Sequence, residues 1–158
     1  MTNVEPINDP NPSTEEILEE LSPVSHSQQV ESVIATLAID QKVMVGHTEE
    51  GGYVWKFPYG SAEIFVQLTG QTDDDTFTVW SPVLKLPAKN EAKLTRKLLE
   101  MNWLYTLEGQ FAIFDNHVVV VAMRTVADLS PVEIARAITL VANLADDNDD
   151  ALQAEFGQ

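Results

Sequence analysis

Cysteine is absent from this chain, so disulfides, thiol nucleophiles and thiolate metal sites are excluded. Histidine is scarce and scattered. His26 lies in a serine-rich stretch, His47 at a strand end and His117 beside a turn. No two have the i, i+4 spacing of a helical metal site, and a catalytic histidine needs a positioned partner. All three read as surface or turn residues. The glycine patterns GxxxxGK(S/T) and GxGxxG do not occur, which removes phosphate-cradling loops. Ser61, Ser81 and Ser130 lack the glycines of a nucleophile elbow. No apolar run approaches the roughly eighteen residues of a membrane span, so no membrane partner is expected. The opening MTNVEPINDPNPSTEE has no basic segment followed by an apolar run, so no secretory signal is expected there. With cysteine missing as well, the expected compartment is the cytoplasm.

Positive charge is the other shortage. Nine Lys and Arg stand against 25 Asp and Glu, for a net charge of −16. Affinity for phosphate backbones rests on cations that displace counterions, so nucleic acid is not an expected partner. The acids crowd the two ends. Residues 1–25 carry six and no base, and residues 146–158 carry five and no base. Residues 1–25 therefore read as an acidic, largely disordered arm, with one short helix predicted over 15–21. Residues 26–158 read as a single α+β domain, and 44% hydrophobic content is enough for a core without staples.

What the chain does have is alternation. In GGYVWKFPYGSAEIFVQLTG (Gly51–Gly70), bulky residues recur with period two on both sides of Pro58-Tyr59-Gly60, the pattern of an antiparallel hairpin. A helix is predicted over about 28–39, since Val30, Val33, Ile34 and Leu37 form one stripe. A strand follows over 42–48. Another strand is predicted over 76–83, with Pro82 marking its end or an edge position. A helix then runs from Asn90 to Tyr105, with Leu94, Leu98, Met101 and Tyr105 buried and Leu99 widening the stripe. Residues 110–114 and 117–123 form a second hairpin around Asp115-Asn116. Its continuous apolar run, Val118–Val121, suggests a strand covered on both faces. The last helix starts at Ser130-Pro131-Val132-Glu133, a cap serine with proline at the first position. Asp146–Asp150 is expected to break it. The predicted order is α-β-β-β-β-α-β-β-α.

The run Asp146-Asp147-Asn148-Asp149-Asp150 invites a calcium reading, with Asp146, Asn148 and Asp150 at the first, third and fifth positions of an EF-hand loop. The sixth would then be Ala151 instead of glycine and the twelfth Gly157 instead of glutamate, so a solvated acidic segment is the better account. Asp73-Asp74-Asp75 fails in the same way. Glu63 alternates with Ala62 and Ile64 and points to solvent. No catalytic residue, metal site or cofactor is expected. Two features remain as candidates for binding a protein partner. Lys85, Lys89, Lys93, Arg96 and Lys97 fall within thirteen residues, a local cationic patch that is either a solvated face or a dock for an acidic segment of a partner or of this chain. Phe65 and Trp80 either join the core or, if helices cover only one sheet face, occupy the other face as an interface.

The blocks WKFPYGSAEIFVQLTG (Trp55–Gly70), DTFTVWSPVLKLP (Asp75–Pro87), LLEMNW (Leu98–Trp103) and RTVADLSPVEIARAITLVANLADDND (Arg124–Asp149) resemble the YbjN-domain family in its cyanobacterial and chloroplast branch. The resemblance covers roughly residues 28–157. It implies a fold like the type III secretion chaperones, an antiparallel sheet with helices packed on it, often dimeric. A homodimer is thus expected. Secretion chaperones of this fold bind extended segments of client proteins, which implies a non-enzymatic adaptor or regulator. No functional residue transfers, because the family carries no catalytic or metal motif. A small-molecule or ion sensor is the alternative.

Overall fold

A computed structural model of the protein describes residues 24–158. The helix expected over 15–21 and nearly all of the acidic arm lie outside the described residues. The elements are α1 (His26–Leu37), β1 (Met44–His47), β2 (Tyr53–Tyr59), β3 (Ala62–Leu68), β4 (Thr76–Lys85), α2 (Glu91–Leu104), β5 (Gln110–Phe114), β6 (His117–Thr125) and α3 (Pro131–Phe156). This is the predicted order. The strands form one antiparallel six-stranded sheet, β1-β2-β3-β4-β6-β5.

Alternation sorts the strand residues onto two faces. Trp55, Phe57, Ile64, Val66, Leu68, Phe77 and Val79 point toward the helices and are almost wholly buried. Val30 and Ile34 of α1 and Ile134, Ile138, Val141, Leu152 and Phe156 of α3 complete that core. Ser25 caps α1 in a reciprocal box with Gln28, and Ser130 caps α3, accepting from the Glu133 amide. In the β5–β6 turn, Asp115 and Asn116 take φ of 48° and 58°, the left-handed pair that matches the twist of a two-residue hairpin.

Three expectations are corrected. First, α3 runs unbroken through Asp146–Asp150. Its apolar stripe continues to Leu152 and Phe156, each 1% exposed, and the acids take the other side. Asn148 falls on the stripe but returns its amide to the Leu144 carbonyl at 2.8 Å, and Ser61 donates to Asp146. Burial of the distal turns outweighs the acidic composition between them. Second, β4 passes through Pro82 to Lys85 as an interior strand. Its ladder with β3 ends at Phe65–Trp80 and its register with β6 shifts between Pro82 and Leu84, so the proline lies at an irregularity where its missing N–H is tolerated. Third, Tyr105 follows α2 and is exposed, as is Leu99; Leu94 and Leu98 are buried and Met101 packs half-buried against the core. β6 lies inside the sheet and Val118–Val121 are all buried, as the apolar run suggests: Val118 and Val120 belong to the core under the helices, and Val119 and Val121 face the other side.

Candidate protein-binding face

The sheet face turned away from the helices carries the second phase of every alternation. Phe65 and Trp80 are directly opposed on β3 and β4, and their rings stack at 5.2 Å. Phe114 of β5 meets Trp80 edge-on at 5.7 Å. Val119, Val121 and Met123 of β6 lie between these strands, with Thr76, Thr78 and Gln67 toward one end. With Trp80 and Phe114 they line a hollow of about 380 Å³, and Phe65 backs Trp80 from β3. Stacked and edge-on aromatic pairs hold each other in place, so the floor is preformed.

Few charges reach this face. Lys56 pairs with Glu63 at 3.0 Å and also lies 5.6 Å from the centre of the Phe65 ring. Lys85 pairs in register with His117, which itself pairs with Phe114, so all three share the far end of the open face. His117 contacts the Asp115 carbonyl through Nδ1, at 2.7 Å. At the near end, Asp75 binds the hydroxyl and amide of Thr72 and the hydroxyl of Thr69, and these bonds hold its carboxyl below the usual range. A Cβ on Gly70 would collide with that carboxylate, which is why glycine stands there.

Of the seven residues singled out in the sequence, Phe65 and Trp80 are brought together and Lys85 lies at the end of their face. The others belong to a different surface. Lys93 and Lys97 hold the two carboxylate oxygens of Glu155 at 3.0 and 2.9 Å, and Lys97 also lies over the buried Phe156 ring. The Lys89 amide donates to the Phe156 carbonyl. Arg96 pairs with Glu100 on its own helix. The acidic segment met by this cluster is therefore the end of α3. Phe114, Val119 and Val121 were not singled out. Phe114 was legible from the Gln110–Ala112–Phe114 alternation, but the unbroken valine run hid which of its members face outward.

His47 packs edge-on against Tyr53 at 4.8 Å. Among the described residues no group of three or more His, Asp or Glu is placed to hold a metal ion, and no helix is long and apolar enough to cross a membrane.

Residues 26–154 match the YbjN family, described as "Putative bacterial sensory transduction regulator". The chain belongs to that family. Among solved structures, the crystal structure of the ExsC–ExsE complex is similar with a TM-score of 0.51 at 12% identity, covering 82% of this chain and 97% of that one. That likeness is one of fold, and the fold is the type III secretion chaperone-like α+β class expected from the sequence. No curated protein matches.

Proposed function

We propose that this YbjN-family chain is a non-enzymatic, chaperone-like adaptor or regulator that binds a segment of a protein partner on the open sheet face. The observation that carries this is the preformed aromatic hollow of Trp80 and Phe114, with Phe65 stacked behind Trp80, on a face that no described helix covers. Flat aromatic floors with few charges are what protein interfaces use as anchors. The neighbour of this fold was solved as a complex of two proteins, which supports the reading. Lys85 would favour acidic flanks on the bound segment. Placement in the cyanobacterial and chloroplast branch, a cytoplasmic location and the division into an arm over 1–25 and a domain over 26–158 belong to the same proposal. They rest on the sequence blocks and composition.

The test places a photo-crosslinking residue at Thr78, in the hollow, and at Val132, exposed at the start of α3. Crosslinks to a defined protein segment from Thr78 alone, lost in Trp80→Ala, are expected. Equal capture from both positions, or capture unchanged by Trp80→Ala, would overturn the assignment. The same proposal makes the protein a homodimer, joined through the exposed Leu99 and Trp103 of α2 with Ile113 of β5.

A second reading, a small-molecule sensor, is favoured by a hollow of about 380 Å³ between α3 and the sheet. Phe77, Ala122, Ala137 and Leu140 line it, with Arg124–Glu133 and Arg136–Glu108 pairs at its mouth. A ligand that raises the melting temperature of the protein, but not of Leu140→Trp, would establish it.

A further inference from the structure

The open face lies within reach of a segment of this same chain. We propose that residues 1–23 fold back across the sheet, with Ile17 and Leu18 in the Trp80–Phe114 hollow and Glu15 and Glu16 directed toward Lys85. The occupant is thus intramolecular, and a partner segment would have to displace it.

Three observations carry this. The first is where the described chain begins. The Ser27 amide donates to the Gln71 side chain at 3.3 Å, which pins the start of α1 to the β3–β4 loop, at the near end of the open face. The second is length. Crossing from the helix layer to the far side of the sheet takes roughly 10 Å. Trp80 lies four residues along β4 from Thr76, about 13 Å further. Docked as an extended segment in place of the short helix expected over 15–21, Ile17 and Leu18 stand six or seven residues before Val24, about 20–25 Å of chain. The two spans agree. The third is charge. Residues 1–23 hold six acids and no base. On the open face Glu63 is paired with Lys56 and Asp75 at its near end is held by Thr69 and Thr72, whereas Lys85 has no acidic partner among the described residues.

Tethering raises the effective concentration of such a segment to about the millimolar range, so weak contacts suffice to hold it. The arm also specifies a competing ligand: adjacent aliphatic residues flanked by carboxylates. That consequence rests on the open face being the partner site; the docking of the arm does not.

The chain has no native cysteine, so the full-length protein can carry a single spin label at Ser13→Cys. Its amide spectrum is expected to lose intensity at Thr78, Trp80, Ala112 and Val121. The double substitution Ile17→Asp, Leu18→Asp is expected to restore those signals, with the rest of the spectrum unchanged. Loss confined to the start of α1 and the 69–75 loop would overturn the proposal, as would loss at Leu99 and Trp103. An isotope-labelled chain mixed with a spin-labelled one must show no loss, since loss there would mean that the arm reaches a second copy. No partner enters this measurement. A bare open face would therefore sink the docking and leave the partner-binding assignment to its own crosslinking test.

Discussion

Glu155 is an exposed residue whose environment is nonetheless specific. Hydrogen bonds from Lys97 and then Lys93 hold its carboxyl below the usual glutamate range. A depressed folded-state pKa means that the carboxylate's contribution is fully present above the unfolded value, about 4.3, and is lost as pH falls through the lower folded value. Wild type is therefore expected to exceed Glu155→Gln in stability at neutral pH, with the gap closing in acid below that window. Chemical denaturation across pH measures it. A gap that persisted in acid would mean that the glutamine variant fails for a reason other than charge. Glu108 is lowered in the same direction by Arg136, so Glu155→Gln should retain the part of the acid slope that belongs to Glu108.

At the level of elements, the two edges of the sheet differ. Strand β5 is closed by a side chain from α2. The Phe111 amide donates to Asn102 Oδ1 at 2.7 Å, and Asn102 Nδ2 donates to the Phe111 carbonyl at 3.2 Å. The amide group makes both bonds that a neighbouring strand would make at that position. Asn102→Leu should leave those half-buried backbone groups unpaired, at a cost of about 1–3 kcal/mol. It should also expose the edge to strand addition. A lower urea midpoint together with concentration-dependent β-rich oligomers is expected; unchanged stability would refute the edge-closing role. Such a contact was not legible in the sequence, because nothing in LLEMNW indicates that its asparagine faces a strand edge. The elements themselves were legible wherever one periodicity held throughout, as in β2, β3 and the first half of α3. Alternation also set Phe65 and Trp80 apart from the core phase, though composition alone could not say whether helices covered both faces. The errors fell where local composition opposed tertiary burial: the acids inside α3, Pro82 inside β4, and Tyr105 beyond the end of α2.

For the molecule as a whole, net charge and exposed apolar surface pull in opposite directions. A charge of −16 keeps copies apart, whereas Trp103, 89% exposed, and Leu99 beside it favour association. If α2 is the contact between copies, Trp103→Glu should yield a monomer by light scattering and leave the secondary-structure spectrum unchanged. Raising the salt concentration should strengthen the wild-type dimer by screening the repulsion. A wild type that is monomeric at every salt concentration would end the dimer proposal.

The unbroken course of α3 has a further consequence. This helix buries Ile134, Ile138, Val141, Leu152 and Phe156 against elements that all precede it in the chain. A ribosome therefore completes every strand before it makes the helix that covers them. Until then the nascent sheet has a bare apolar face, of the kind that draws holdase chaperones and other unfinished chains. For a protein proposed to shelter segments of others, its own synthesis passes through a state in need of the same shelter.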